Sequence, residues 1–357
     1  MTDRADRLQA CLIDEELEAL IVTNPVNIAY LTGFTGSNGT VVVLRDSVTL
    51  ITDSRYTEWA TNQLRAHAPA TDLVIAGGAG RQQLLNLVEP AATVGLESTH
   101  VTWAAAESFR SEFGDRLVST TGLVEDLREL KSAPEVEAIA DAASITDRAL
   151  AMLVDELRPG TCETAIARRL AQLMFDDAGV EPSFDIIVAS GPNAARPHHE
   201  PGGRVLETGD LVIIDCGATV DGYRSDMTRT FVLGPPSQRQ HEMLEAVLEA
   251  QTNGVAAVGP GVPASDIDDA CRQSLTDAGF GEYFTHGTGH GVGREIHEAP
   301  SVSRTSTATL TPGHVITVEP GIYIPDMGGV RWEDTVVVTE NGSRTLTRSP
   351  KQPVITL

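Results

Sequence analysis

The stretch "LVIIDCGATVDGYRSDMTRTFVL", Leu211–Leu233, decides how the chain is read. Its opening apolar run has the pattern of a buried strand. Asp215 closes that run, and Asp226 interrupts the next one. Between them Asp221–Gly222 is a strong two-residue hairpin signal. With those two residues central, Val220 falls opposite Tyr223 and Asp215 opposite Thr228. Asp226 then shares a face with Thr228, two positions along, so Asp215 and Asp226 become near neighbours. Two carboxylates this close in a half-buried sheet repel each other. One of them takes up a proton unless a cation sits between them.

The same pattern returns about 100 residues later, in order. "RPGTCETAIARRLAQLMFDDAG" is echoed by "GPGVPASDIDDACRQSLTDAG": a Pro-Gly turn, a cap, an apolar-periodic helix and a closing Ala-Gly. "ETGDLVIIDCG" is echoed by "LTPGHVITVEPG", and "YRSDMT" by "VRWEDT". Asp215 then matches Glu319, and Asp226 matches Glu333. "HHEP" at His198–Pro201 has a looser echo in "HEAP" at His297–Pro300. Residues 135–357 therefore read as two similar α/β halves facing each other, with acidic residues converging between them. Solenoid arrays have shorter periods and more copies. Arg331 and Glu333 are expected on one strand face by the period of two.

A histidine for this cluster lies in "THGTGHGVGREIHEAP". His286 and His290 are four apart, a spacing that holds metals on helices. Gly287, Gly289, Gly291 and Gly293 argue against a helix there. A glycine-rich strand or loop bringing backbone close to the site, with His290 projecting into it, fits better. Asp215, Asp226, His290, Glu319 and Glu333 would form an oxygen-rich set with one imidazole. Four carboxylates balance two divalent ions, Mn²⁺ first, with Co²⁺, Fe²⁺ or Zn²⁺ as alternatives. Two such ions can activate a bridging hydroxide and stabilise a tetrahedral oxyanion.

At these residues the chain resembles the metallopeptidase family of prolidase (Xaa-Pro dipeptidase), aminopeptidase P and methionine aminopeptidase. The matching stretches are "IDCGATVDGYRSDMTRTF", "HGTGHGVGREIHEAP", "ITVEPGIY" and "GGVRWEDT". "VTNPVNIAYLTGFTGSNG" and "TDSRY" resemble the N-terminal domain of the prolidase and aminopeptidase P branch. The resemblance implies a small N-terminal α/β creatinase-like domain followed by a duplicated "pita-bread" α/β catalytic domain. It implies that Asp215 chelates one metal, that Asp226 and Glu333 bridge both, and that His290 and Glu319 bind the second. Glu319 would also be the general base on the bridging water. His198, with His199 as the alternative, and His297 would flank the substrate and polarise the scissile carbonyl or hold the tetrahedral intermediate, while His286 and Arg331 support or contact the substrate. The implied reaction is hydrolysis of Xaa-Pro dipeptides. Aminopeptidase P action on longer Xaa-Pro peptides is the alternative, as is a non-peptide amide hydrolase of the same fold. A homodimer is also implied, the N-terminal domain of one copy helping to close the other's cleft. Arg294 and Trp332 depart from the apolar or smaller residues common beside these ligands, which leaves pocket shape and substrate choice open. Asp53, Arg55 and Tyr56 read as a local structural group, with substrate contact across a dimer as the alternative.

The rest of the chain agrees with an enzyme of two domains. Its 357 residues exceed one ordinary domain. The expected division is residues 1–125, a linker at 126–134 and residues 135–357. "ALIVTN", "TVVVLRDSVTLITD", "DLVIAG", "TVGLES" and "RLVSTTGLV" read as strands of the first domain, with helices in "DRLQACLIDEELEAL", "SRYTEWATNQLRAHA" and "RQQLLNLVEPA". Ser132 and Glu135 have capping-box spacing with Pro134 in the first turn, opening a helix expected to stop at Pro159–Gly160. Cys11, Cys162, Cys216 and Cys271 are scattered and read as free thiols. No apolar run is long enough to span a membrane, and the charged N-terminus lacks a signal-peptide core, so a cytoplasmic location is expected. A net charge of −24 repels nucleic acid and anionic membranes.

Only two of the 26 cations are lysines, Lys131 and Lys351. An acidic, lysine-poor surface on a chain with a normal core points to adaptation to high salt, where screening suppresses self-repulsion, with a merely acidic cytosolic protein as the alternative. The unfolding midpoint in denaturant is therefore expected to rise between dilute buffer and molar KCl. Equal midpoints in the two media would refute the salt adaptation.

Overall fold

The computed structural model describes residues 3–356. The chain divides between Arg128 and Glu129 into two units. In the first unit the chain runs α1 (Asp3–Asp14), β1 (Ala19–Val22), α2 (Pro25–Thr32), β2 (Gly39–Leu44), β3 (Val48–Thr52), α3 (Thr57–His67) and β4 (Asp72–Ile75). It continues through α4 (Gly80–Val88), β5 (Val94–Glu97), α5 (Trp103–Phe113) and β6 (Leu117–Thr120). The six strands form one sheet in the order β4-β3-β2-β1-β5-β6. The valine and isoleucine runs of β1, β2 and β3 bury both faces of its centre under helices.

Two helices of this unit were not expected. Asn24 accepts from Val26 N–H at 2.9 Å and Pro25 begins α2, which ends at Gly33 in the left-handed region. Thr102 caps α5 in the same way, and Phe109 and Phe113 face the core. Asp53 is taken up by Arg55, at 2.9 and 2.8 Å, and by Asn38 at 2.6 Å. These contacts support the local structural role.

The helix α6 (Glu125–Glu129) begins at the last residue assigned to the first domain and runs into the segment read as a linker. Beyond it the chain folds as two matching halves. The first contains α7 (Ala133–Val154), α8 (Glu163–Ala178), β7 (Ile187–Ser190), β8 (Leu211–Cys216), β9 (Thr219–Val220), β10 (Tyr223–Arg224) and β11 (Met227–Leu233). The second contains α9 (Gln238–Ala257), α10 (Ala264–Asp277), β12 (Gly289–Gly291), β13 (Glu298–Val302), β14 (Val315–Val318), β15 (Gly321–Ile324), β16 (Gly328–Arg331), β17 (Asp334–Thr339) and β18 (Gly342–Thr345). The closing strand β19 (Val354–Ile355) returns to β11. The capping box of Ser132 and Glu135 is present at the start of α7. That helix ends at Val154 rather than at Pro159–Gly160, although Leu157 is still buried below it. The early stop comes from a tight turn, Glu156 N–H donating to Leu153 O at 2.8 Å.

Each half pairs three antiparallel strands in the same way, β7-β8-β11 and β12-β14-β17. Each also sends a two-stranded ladder out of its middle, β9-β10 and β15-β16. The two sheets meet along threonines. Thr230 Oγ1 donates to Arg331 O at 2.8 Å, and Thr335 Oγ1 to Asp226 O at 2.7 Å. Glu333 N–H donates to Thr228 O at 3.2 Å. These buried hydroxyls satisfy backbone groups that a sheet edge would otherwise leave unpaired.

The register fixed by Asp221–Gly222 is the expected one, with Tyr223 opposite Val220 and Thr228 opposite Asp215. Asp221 and Gly222 both take positive φ, 52° and 78°, as a primed turn requires. The hairpin is not continuous, however. It breaks at Gly217–Ala218 and Ser225–Asp226, where Ser225 Oγ accepts from Ala218 N–H at 3.0 Å. A Cβ on Gly217 would lie 1.8 Å from Ser225 O. The break leaves Asp226 outside the ladder, just before β11.

Trp332 and Arg294 are not among the residues that line the cavity over the carboxylates. Trp332 is 1% exposed in the core of the second half, its indole N–H reaching Leu244 O at 3.3 Å. Arg294 lies over the Tyr223 ring at 5.0 Å. Both lysines are in ion pairs, Lys131 with Glu298 at 3.1 Å and Lys351 with Asp334 at 2.5 Å. The four cysteines are free thiols. No helix among the described residues is long and apolar enough to cross a membrane.

Gly217→Ala is expected to cost about 1–3 kcal/mol, because the new methyl group must displace the Ser225 carbonyl. Urea denaturation measures the loss, and an unchanged midpoint would show that the break in the hairpin tolerates a side chain.

Candidate active site

Four of the five residues singled out in the sequence, the carboxylates, come from the ends of matching strands. Asp215 is the penultimate residue of β8, and Glu319 follows β14 directly. Asp226 and Glu333 immediately precede β11 and β17. His290 is central in β12. Glycines let that strand approach: a Cβ on Gly289 would lie 2.0 Å from Thr317 O, and one on Gly291 2.1 Å from Ala299 O. Ligand atoms of Asp215, Asp226 and Glu333 all lie within 4.8 Å of one another. His290 Nε2 is 3.3 Å from Glu319 Oε1 and 3.6 Å from Asp226 Oδ2. Its Nδ1 contacts Gly291 O at 3.0 Å, which orients the ring.

Arg331 and Glu333 reach the same side, as the period of two suggested, though Glu333 lies in the connection between β16 and β17. Thr228 Oγ1 donates to Glu333 Oε2 at 2.8 Å and accepts from Arg331 Nε at 2.9 Å. Arg331 Nη2 donates to Asp215 Oδ2 at 2.7 Å.

Four carboxylates with one guanidinium are an unbalanced charge, and the acidities record it. Burial pushes Asp226 well above the ordinary carboxylate range, and the charges of Glu333 and Asp215 push it further. Burial, Glu319 and Asp215 do the same to Glu333. Asp215 is raised by burial, against the pull of Arg331. Burial also works to raise Glu319, but the His290 ring outweighs it and holds the carboxyl at about 2. Burial works to lower His290, and Glu319 outweighs it, so the imidazole is raised. Protons thus stand where positive charge is wanted. Two buried oxygens, Asp215 Oδ1 and Glu333 Oε1, have no hydrogen-bond partner. Orphaned acceptors among crowded carboxylates and one imidazole fit hard divalent cations. Cys216, buried beside Asp215, is pushed up by burial and by that carboxylate, and stays a thiol.

A cavity of about 310 Å³ opens over the carboxylates. His198, His286 and His297 line it together with Arg331. The His297 ring meets His290 edge-on at 4.4 Å, and burial and His290 lower its pKa. His286 is lowered by burial and touches the Tyr323 hydroxyl through Nε2 at 3.0 Å. His199 turns away from the cavity to Glu163, 2.9 Å from its Oε2. Tyr323 was not legible in the sequence. Its hydroxyl accepts from Arg331 Nη1 at 3.0 Å and lines the cavity. Phe184, Ile187 and Ile296 supply an apolar wall.

Residues 137–340 match the domain described as Metallopeptidase family M24, and residues 4–130 the Creatinase/Prolidase N-terminal domain. The chain is 35% identical to the Xaa-Pro dipeptidase of Pyrococcus furiosus over 354 residues, 99% of each protein. It is 41% identical to the uncharacterized peptidase YqhT of Bacillus subtilis over 342 residues, 95% of this chain and 96% of that one. Among solved structures, the Xaa-Pro dipeptidase from Bacillus anthracis superposes with a TM-score of 0.95 at 37% identity, covering 99% of both chains. The X-Pro aminopeptidase from Thermotoga maritima gives 0.90 at 33% identity, covering 99% of this chain and 100% of that one.

In chelator, Asp226 and Glu333 keep protons in the folded chain at pH values where the unfolded chain has lost them. The folded state then binds more protons, so stability falls as pH rises above the ordinary carboxylate range. Raised His290 adds the same sign above its ordinary value, and lowered His286 and His297 oppose it. Glu319 is constant there, because its loss lies below the ordinary glutamate value. Divalent cations held by these carboxylates would replace the protons, which would be released on binding. The stabilisation by Mn²⁺, read as the difference between loaded and chelated midpoints, is expected to grow from about pH 5 to pH 7. A difference independent of pH would contradict these acidities.

Proposed function

The chain belongs to metallopeptidase family M24, and from that premise we propose that it is an exopeptidase hydrolysing Xaa-Pro bonds, Xaa-Pro dipeptides first. The observation that carries the proposal is the convergence of four carboxylates and one imidazole, two of their oxygens orphaned, beneath a cavity walled by three histidines and apolar side chains. Asp215, Asp226, His290, Glu319 and Glu333 would hold two divalent ions, with Mn²⁺ favoured by the oxygen-rich set. When bound, the ions supply Lewis-acid activation of water and positive charge for the developing oxyanion.

The chain's own groups do the remaining work. Glu319 is the general base: its Oε1 faces His290 and accepts from Thr317 Oγ1 at 3.0 Å, and it is ionised at neutral pH. It receives the proton of the attacking water. That proton is then available to the leaving proline nitrogen, which departs as a secondary amine when the C–N bond breaks. His297, kept neutral by burial, can donate an N–H to the carbonyl oxygen without adding charge to a crowded site. His198 flanks the same space. His286, Tyr323 and Arg331 form a hydrogen-bonded wall that fixes Asp215 and faces the substrate. An Xaa-Pro bond has no N–H, so the site needs no acceptor there, and the apolar wall suits the proline ring. Aminopeptidase action on longer Xaa-Pro peptides is the second reading, supported by the similarity to the X-Pro aminopeptidase from Thermotoga maritima. A homodimer in the cytoplasm, adapted to high salt, belongs with the proposal.

Purified protein is expected to cleave Xaa-Pro dipeptides with Mn²⁺ and to lose about 10²–10⁴-fold in rate as Glu319→Ala. His290→Ala is expected to lose bound metal as well. A panel of Xaa-Pro dipeptides and Xaa-Pro-Xaa tripeptides with Mn²⁺, Co²⁺ and Zn²⁺ decides between the two readings, equal rates on tripeptides favouring the aminopeptidase. A protein that binds no divalent metal, with both variants matching the parent, would sink the proposal.

A further inference from the structure

The chain that carries Pro197 and His198 to the cavity leaves β7 at Ser190, makes a short helical turn over Gly191–Ala195 and returns at Gly202. Both ends of this segment are held by one side chain. Glu163, in the first turn of α8, has no exposed side-chain surface. Its Oε1 accepts from Ser190 N–H at 2.8 Å, Ser190 Oγ at 2.7 Å and Asn193 Nδ2 at 3.0 Å. Its Oε2 accepts from Gly202 N–H at 3.1 Å and meets His199 Nε2 at 2.9 Å. Burial alone would raise this carboxyl. The hydrogen bonds from Asn193, His199, Ser190 and Gly202 more than offset it, and the group is held below its ordinary value. An ionised Glu163 makes His199 Nε2 the donor.

A buried acid of this kind is costly, and an apolar residue would serve the core at lower cost. Capping does not explain it. The N–H groups of Glu163 and Thr164 are already taken by Arg204 O at 3.0 Å and Gly202 O at 3.1 Å. The carboxylate is spent on the segment that walls the cavity. The chain turns at Pro197–His198, and the two histidines leave that turn in different directions, His198 lining the cavity and His199 meeting Glu163. Fixing His199 on Glu163, at the side away from the cavity, therefore aims His198 toward it. Arg331 Nη1 steadies the middle of the segment through Pro197 O at 3.3 Å.

We propose that Glu163 and His199 are a positioning pair that sets the His198 ring against the scissile carbonyl. The proposal rests on the role given to His198 above. The two histidines of "HHEP" then divide the work, one facing substrate and its neighbour anchoring the loop.

The test compares His198→Ala, His199→Leu, His199→Gln and the double variant His198→Ala/His199→Leu in the metal-loaded full chain. His199→Leu is expected to lower kcat roughly ten- to hundredfold, the cost of a misplaced group, with bound metal unchanged. His199→Gln, which keeps an N–H donor within reach of Glu163, is expected to recover most of that loss. In the His198→Ala background, His199→Leu is expected to cost little more, because its effect passes through His198. A merely structural His199 would instead multiply its loss with that of His198→Ala, and that result, or a His199→Leu equal to the parent, overturns the pair. His198→Ala equal to the parent would be a different failure, removing the role of His198 and the pair with it. Glu163→Gln is a further variant, and the His199 series decides the matter if that one does not fold.

Discussion

Four carboxylates pressed against one another at the seam of two sheets constrain everything around them. Each is buried or half-buried, and ionising all four with only Arg331 for company costs more than the fold can supply from their own contacts. The surrounding structure distributes that cost. Arg331 takes Asp215, Thr228 links Arg331 to Glu333, and His290 takes Glu319. What is left over is two bare oxygens and a set of raised carboxyl pKa values. Such a residue of unbalanced charge is wasteful in a scaffold and useful in a metallopeptidase, where cations would complete it.

The duplicated architecture explains how one chain brings four acids to a point. A single hairpin can present two carboxylates on one face. Repeating the unit and pairing the copies through Thr228, Thr230 and Thr335 doubles the number without lengthening any strand. The glycines of β12 then admit the one imidazole, because a side chain at Gly289 or Gly291 would strike the neighbouring backbone.

Much of this was legible in the sequence, and the physical reason is local. Asp221–Gly222 tolerates one register, so the placement of Asp215 opposite Thr228 followed from two residues. The internal echo carried the second half. Other features depended on directions that no pattern encodes. Tyr323 reaches the cavity only because β15 pairs with β16 and turns its hydroxyl to Arg331. Trp332 neighbours Glu333 in the chain but points into the opposite core. Glu163 is more than twenty residues from every group it holds, and its neighbours in sequence are ordinary helix residues. The helix at Pro25 is a different case: an asparagine cap followed by proline is a readable start, overlooked beside the strand that precedes it.

The buried pairing of Lys131 with Glu298 gives the molecule an unusual chemical handle. With arginine carrying nearly all the positive charge, amine-directed reagents meet two lysines in the whole chain. A protease that cuts only after lysine meets the same two positions. One of them lies just past the boundary between the two units, with its ammonium group sequestered. Cleavage there requires the segment to leave Glu298 first. The rate at which one specific fragment appears therefore reports the release of that segment from Glu298 within the second unit, with no background of cuts elsewhere in that unit up to Lys351.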